Sequence, residues 1–202
     1  MKRLYGVYTS LTLALLIAGA CEANAQATAV SVQNVNGGAN PTAGTGFYVI
    51  VSSVDGTNTP TPVGNATTIT LTLNTGSGSL GGTLSGVIAV GKDSVTISGA
   101  TYTKAESGVT LLATETAGDG LSPGTSAAFT VNAGAATRLV ITGSGAQTAG
   151  TTQNITIKAE DALNNVDPTY TGVKSLTFSG ANPSTSPVTA SRAGSRTASR
   201  RR

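Results

Sequence analysis

The chain has 202 residues, of which 39% are hydrophobic and only 10% are charged. It contains no histidine and one cysteine, Cys21. Ser-His-Asp catalysis, Cys-His catalysis and histidine-bearing zinc sites are therefore excluded, and we expect a protein that is not an enzyme. Thr, Ser, Gly and Ala dominate the composition. Because β-branched residues and glycine disfavour helices, this mixture predicts short strands joined by turns.

The formal net charge of +3 comes from the two ends of the chain. Seven of the 12 basic residues lie at positions 2, 3 and within 192–202, and one of the nine acidic residues is Glu22. Residues 26–191 therefore hold five basic and eight acidic residues, a net charge of −3. A nucleic-acid partner would need a basic face, so none is predicted.

The first 25 residues have the pattern of a secretory signal peptide. Two basic residues precede a short apolar run at 11–20, and Ala23-Asn24-Ala25 fits the small-x-small cleavage pattern. A membrane span needs ~20 apolar residues, so no transmembrane segment is predicted after cleavage. We expect a secreted or cell-surface protein. Lipid attachment at Cys21 is the alternative, since residues 18–21 resemble a lipoprotein processing box in which Ala18 replaces the usual leucine.

Beyond the leader, several segments alternate apolar and polar residues, the pattern of half-buried strands. In chain order, their apolar positions are Ile69, Leu71 and Leu73, Val95 and Ile97, Phe129 and Val131, and Ile155 and Ile157. Turn-forming pairs such as Asn36-Gly37 and Asp55-Gly56 separate these segments. Since no stretch shows a sustained helical period, the sequence predicts an all-β fold.

The chain also repeats itself. Thr42-Ala43-Gly44-Thr45 recurs as Thr148-Ala149-Gly150-Thr151, 106 residues later. At the same offset Val49 aligns with Ile155, Val51 with Ile157 and Asp55 with Asp161. Upstream, residues 28–32 parallel residues 137–141, and after a one-residue loop change Ile69 aligns with Leu176 and Leu71 with Phe178. A repeat of about 100 residues has the size of one immunoglobulin-like sandwich.

Three segments of the second copy, 159–165 (AEDALNN), 170–172 (YTG) and 176–180 (LTFSG), resemble the bacterial immunoglobulin-like repeats of invasin- and intimin-type surface adhesins. In the first copy, residues 82–86 (GTLSG) and 108–114 (GVTLLAT) resemble the same family. The likeness spans about residues 28–180. It implies an immunoglobulin-like β-sandwich, neighbouring repeats of the same kind as partners, and an unknown surface or host ligand.

The repeat predicts a division of the chain into a first copy at 26–135, one complete sandwich, and a second copy at 136–189, a partial repeat of roughly three strands. The Ser/Ala/Arg run at 190–202 has no apolar period and predicts a disordered tail. Two explanations of the partial repeat stay open. Either the chain is a piece of a longer repeat protein, or the half-repeat awaits a partner strand, as in donor-strand assembly.

Asp161, Asn164, Asn165 and Asp167 form the densest group of side-chain oxygens in the sequence. Calcium prefers such oxygens, so this group is the candidate metal site, and no other cofactor is predicted. The alternative is structural, because Asp and Asn side chains close turns by bonding their own backbone. Asp55 marks the weaker counterpart in the first copy.

Three glycine-rich matches to catalytic or nucleotide-binding motifs are interpreted as turns. Residues 120–124 fit G-x-S-x-G, but that motif requires a following helix and a histidine. Residues 86–92 begin a phosphate loop, but Asp93 replaces the required Ser or Thr. Residues 76–81 fit G-x-G-x-x-G without the helix N-terminus that binds phosphate.

The sequence therefore favours a structural or adhesive module that projects from the cell surface. Two alternatives are an accessory carbohydrate-binding module of a secreted enzyme, against which the absence of Trp argues, and a strand-swapping fibre subunit. Tyr48, Tyr102 and Tyr170 are expected to be half-buried strand residues rather than ligand-facing aromatics.

Overall fold

Eleven β-strands and one 3₁₀ turn, Asn36–Gly38, make up the regular structure of residues 26–148 and 150–179, which the computed structural model describes. The strands are β1 (Ala29–Val35), β2 (Phe47–Val54), β3 (Thr67–Thr75), β4 (Leu80–Gly82), β5 (Ser85–Ile88), β6 (Ser94–Tyr102), β7 (Glu106–Ala117), β8 (Gly124–Thr125), β9 (Phe129–Val131), β10 (Arg138–Thr142) and β11 (Thr156–Glu160). These ranges contain no α-helix. The all-β prediction is confirmed.

Strands β1 to β9 form two antiparallel sheets. The first has the order β1-β2-β6-β4, and the second has the order β5-β3-β7-β8, with β9 also paired to β7. Two isolated parallel bridges, Ala29 with Ser122 and Thr42 with Asn132, join the first part of the chain to the β8–β9 region. The first and last strands of this copy are thereby tied together.

The alternation in β3 explains why this segment is a strand with one buried face. Ile69 and Leu71 are 0% and 1% exposed, whereas the adjacent Thr68 and Thr70 are partly exposed. Successive side chains of a strand point to opposite faces. Burial of each large aliphatic side chain contributes about 1.5–3 kcal/mol, so a one-residue slip in register would expose the apolar face.

Both sheets contribute side chains to one core. The first sheet supplies Val30, Val49, Val51, Ile97 and Tyr102, and the second supplies Ile69, Leu71, Ile88, Val109 and Leu111. At one end the rings of Phe47 and Phe129 pack with their centroids 6.3 Å apart. The core is mainly aliphatic, as the low aromatic content of the sequence requires.

Residues 80–88 pass from one sheet to the other. β4 pairs with β6, and β5, which begins after two intervening residues, pairs with β3. At the crossing Gly82 has a φ of +78°, and a Cβ at this position would lie 2.1 Å from the carbonyl oxygen of Gly99. Only glycine fits such a site. The segment at 82–86 that resembles the adhesin repeats therefore begins at a change of sheet.

The second copy contributes two strands to the described residues, β10 and β11, which pair antiparallel. Val32 of β1 opposes Val51 of β2, and Ile141 of β10 opposes Ile157 of β11. These are the equivalent positions in the internal alignment, so the two copies share the register of their first strand pair.

The third strand expected in the second copy, around Leu176, is not formed, because residues 171–179 lie outside any strand. In the first copy the corresponding strand, β3, lies between β5 and β7. The described part of the second copy contains no counterpart of these two partners. The predicted signal peptide at 1–25 and the arginine-rich tail at 190–202 lie outside the described residues.

Candidate functional site

The predicted oxygen cluster lies in a tight turn that follows β11. The Asp161 amide donates to the Asn165 carbonyl at 2.9 Å, and Asp161 Oδ1 accepts from the amides of Leu163, at 2.8 Å, and Asn165, at 2.9 Å. Asn164 has a φ of +72°, a left-handed conformation that Asn tolerates better than most residues. The turn is therefore closed by its own aspartate.

The first copy contains the same turn 106 residues earlier. The Asp55 amide donates to the Thr59 carbonyl at 3.0 Å, and Asp55 Oδ1 accepts from the amides of Thr57 and Thr59 at 2.8 and 3.0 Å. Asn58 has a φ of +65°. These are the positions equivalent to Asp161, Leu163, Asn164 and Asn165, so the sequence repeat corresponds to a repeated set of hydrogen bonds.

Unlike its counterpart, the second turn is attached to the end of the first copy. Asn165 Oδ1 accepts from the Ala105 amide at 2.9 Å, and Asn165 Nδ2 donates to the Thr103 carbonyl at 3.1 Å. Asp161 Oδ2 accepts from the Gly134 amide at 2.9 Å. We refer to these contacts of residues 161–167 with the end of the first copy as the junction.

Two further contacts lie beside these, one within the second copy and one with the first copy. Asp167 Oδ2 accepts from the amide of Ala136, the residue at which the second copy begins, at 2.9 Å. Leu163 lies over Gly44, since a Cβ at Gly44 would be 2.9 Å from Leu163 Cδ1. The junction thus combines side-chain to backbone hydrogen bonds with one apolar contact.

The polar side chains of the junction are well buried. Asp161, Asn165 and Asp167 are 4%, 8% and 8% exposed. Burial disfavours the charged form of Asp161, but hydrogen bonds from Asn165, Gly134 and Leu163 outweigh it and lower the pKa of the carboxyl. Hydrogen bonds from the hydroxyl and amide of Thr169 lower the pKa of the Asp167 carboxyl. Both carboxylates are therefore ionised and satisfied by donors.

Two of the four predicted calcium ligands bond each other in this turn, since Asn165 Nδ2 donates to Asp161 Oδ2 at 2.9 Å. Asp167 bonds Ala136 and Thr169 instead, and Asn164 lies outside the group as well. Its side-chain oxygen accepts from the Arg138 guanidinium, which also pairs with Glu160 at 3.0 Å. The described residues contain no group of three or more His, Cys, Asp or Glu side chains arranged for a metal ion. Calcium binding stays a prediction, and the hydrogen bonds agree with the structural alternative.

Sequence reasoning missed the other half of the junction. Thr103, Ala105, Gly134 and Ala136 contribute only backbone groups, and no side-chain pattern signals a backbone donor. A groove of about 640 Å³ lies beside this surface, lined among others by Thr42, Glu106, Asn132, Val166 and Thr169. The junction therefore joins side chains of the second copy to backbone groups of the first.

The other candidate residues lie in a turn, in the core or on the surface. Residues 120–124 lead directly into β8 without a helix, as the interpretation of this motif as a turn requires. Tyr102 is 1% exposed and belongs to the core, so it is more buried than predicted, whereas Tyr48 and Tyr170 are 36% and 43% exposed. The Lys174 ammonium lies 4.5 Å from the Tyr170 ring centroid.

Comparison with known proteins gave no relative: no family model, curated protein or solved structure matches this chain. Within residues 26–148 and 150–179, no helix is long and apolar enough to cross a membrane.

Proposed function

We propose that this chain is a secreted or cell-surface structural protein of immunoglobulin-like repeats, which spaces or attaches a partner by holding successive repeats in a fixed orientation. The observation that carries the proposal is the attachment of the 161–167 turn to the end of the first copy. Interdomain contacts are usually small, and relative motion is the default. A buried set of hydrogen bonds between the two copies favours a fixed orientation instead.

The strand order supports the immunoglobulin-like part of the proposal. Constant-type immunoglobulin sandwiches place strands A, B, E and D in one sheet and C, F and G in the other. The first sheet has the order β1-β2-β6-β4, as A, B, E and D would give. The second contains β3, β7 and the β8–β9 segment where C, F and G would lie, with β5 as an additional edge strand beside β3. The family resemblance of residues 159–165 and 176–180 to invasin- and intimin-type repeats points to the same fold.

The rigidity of the joint is the property that tests the proposal. Residues 26–202 contain no cysteine, so Cys21→Ser allows two spin labels to be placed at Ser98→Cys and Thr142→Cys, both exposed positions. We expect a narrow distribution of distances between the labels by pulsed electron paramagnetic resonance. A broad distribution, as for two independently tumbling bodies, would contradict the proposal. Protease accessibility on intact cells tests the surface location.

A strand-accepting fibre subunit is the second candidate, and one observation favours it. The second copy exposes large apolar side chains, with Leu139 at 41%, Ile141 at 54% and Phe178 at 51%. Such a surface beside an unpaired sheet edge invites pairing with another chain. Light scattering over a range of concentrations should then show oligomers that vanish on deletion of residues 137–202. A strictly monomeric full-length chain excludes this candidate.

A further inference from the structure

The two Asp turns share their backbone hydrogen bonds but differ in what surrounds them. Residues 56–60 of the first turn are exposed, and Asp55 itself is partly exposed. Among the described residues its carboxylate accepts only from groups of its own turn, including the Thr57 hydroxyl at 2.7 Å. Asp161 is 4% exposed and bonds the first copy. Because an aspartate begins both turns, the aspartate alone does not decide which turn forms a junction.

The two copies differ at the position that bonds the first copy and at the position that holds the connection between the copies. Thr59 stands where the second copy has Asn165, and Thr61 stands where it has Asp167. The Thr59 hydroxyl contacts the Thr57 hydroxyl at 3.1 Å, and the Thr61 hydroxyl donates to the Thr59 carbonyl at 2.9 Å. Both threonines therefore use their side chains inside their own turn.

The backbone roles of these positions are the same in both copies. The Thr59 amide donates to Asp55 as the Asn165 amide donates to Asp161. The Thr61 amide donates to the Ser53 carbonyl at 2.9 Å, and the Asp167 amide donates to the Ala159 carbonyl at 2.9 Å. Threonine is thus compatible with the turn, and the difference between the copies lies in the side-chain contacts that the second turn makes outside itself.

The end of the first copy offers groups that an amide side chain matches. Ala105 presents an N–H and Thr103 a C=O close together, and Asn165 satisfies both with one side chain. An amide carries its acceptor oxygen and its donor nitrogen on two separate atoms, whereas the shorter threonine side chain carries its one donor and its acceptor lone pairs on a single oxygen. The end of the first copy offers only backbone groups to this contact. Which repeat docks on it is therefore decided by the side chains of the docking turn.

We propose that Asn165, which bonds the first copy, determines the order of the repeats, assisted by Asp167, which holds the connecting residue Ala136. A repeat docks rigidly behind another only when its turn has the form D-x-x-x-N-x-D, and the partner that fits the Thr103–Ala105–Gly134 end of the first copy is such a turn. The first copy, whose turn has the form D-x-x-x-T-x-T, can precede another repeat at a junction but cannot dock behind one. This inference rests on the proposed function, because it specifies the partner of the same joint.

The test converts the second turn into the first. Asn165→Thr with Asp167→Thr is introduced into the full chain carrying Cys21→Ser and the labels at positions 98 and 142. We expect the distance distribution to widen by about twofold, since interdomain motion returns when the contact is lost. Asn164→Gly is the matched control, because residue 164 has a positive φ and its side chain bonds within the second copy. It should leave the distribution unchanged.

Nuclear Overhauser contacts between Leu139 and Ala159, which oppose each other in β10 and β11, report whether the second copy still forms its strand pair. Asn165→Thr alone, which keeps both carboxylates, is the milder variant and should widen the distribution as well. A narrow distance distribution in both variants and in the parent chain would show that Asn165 and Asp167 do not determine the order of the repeats. The proposed fixed orientation of the two copies would still stand. A broad distribution in the parent chain would overturn the proposed function and, with it, this inference.

Discussion

The Tyr102 hydroxyl donates a hydrogen bond of 2.5 Å to the Glu106 carboxylate across the turn between β6 and β7. The same carboxylate accepts from the amide and hydroxyl of Ser77. The pKa of Glu106 is therefore far below its ordinary value, chiefly because of Tyr102 and then Ser77. Thr103 and Ala105, which bond Asn165, lie between these two residues. The Tyr102–Glu106 pair thus fixes the backbone on which the second copy docks.

Tyr102→Phe should weaken this backbone support. Loss of the buried hydroxyl removes its bonds to Glu106 and to the Gly78 amide, and we expect a stability loss of about 1 kcal/mol in urea unfolding. Tyr48→Phe is the matched control, because Tyr48 is 36% exposed, and it should be neutral. Equal effects of the two substitutions would show that the Tyr102 hydroxyl contributes nothing specific.

Leu111→Ala and Leu112→Ala test the alternation of β7. Leu111 is 0% exposed and faces the core, whereas its neighbour Leu112 is partly exposed. Truncation of Leu111 leaves a cavity and should cost about 2–5 kcal/mol. Truncation of Leu112 should cost about 1 kcal/mol or less. Chemical denaturation measures both values, and a larger loss for Leu112 would mean that the register of β7 is wrong.

Gly124→Ala should destabilise the first copy for a steric reason. A Cβ at Gly124 would lie 2.1 Å from the carbonyl oxygen of Val30, so β1 or β8 must shift, at a cost of about 1–3 kcal/mol. Gly56→Ala, where no atom lies within 4 Å, is the control and should leave the melting temperature nearly unchanged. A neutral Gly124→Ala would contradict the close packing of β1 on β8.

The junction should loosen in acid. The pKa values of Asp161 and Asp167 in the folded protein are lowered relative to about 3.9 for an unfolded aspartate. A lowered folded pKa adds stability that is fully present above about pH 4 and is lost as the pH falls further. Titration of the Gly134 and Ala136 amide resonances from neutral pH downwards measures this loss. Titration midpoints above the ordinary aspartate pKa would contradict the lowered pKa values and hence this prediction.

Calcium should have little effect on stability. Both oxygens of Asp161 and both of Asp167 already accept N–H or O–H groups, so an ion would have to displace these donors. We expect calcium chloride and a chelator to give melting temperatures within about 2 °C of each other. A larger rise with calcium would support the metal site predicted from the sequence.

Most of the first copy could be predicted because its information is local. The alternation around Ile69 and Ile97 predicts strands, since period two places every apolar side chain on one face. The recurrence of Asp55 as Asp161 likewise predicts a repeated turn. The strand predicted near Leu176 is not formed, because a strand needs neighbouring strands with which to form hydrogen bonds. Local alternation of apolar and polar residues does not supply these neighbours.

The sequence by itself determined the all-β class, the repeat and the Asp turns, because side-chain period and turn chemistry act over a few residues. Only the tertiary structure decided that Asn165 and Asp161 join the two copies. Their partners are the Ala105 and Gly134 amides and the Thr103 carbonyl, and every residue except proline carries an amide N–H. Which of these backbone groups faces a side chain from far along the chain depends on how the sheets pack, a relation that no local pattern encodes.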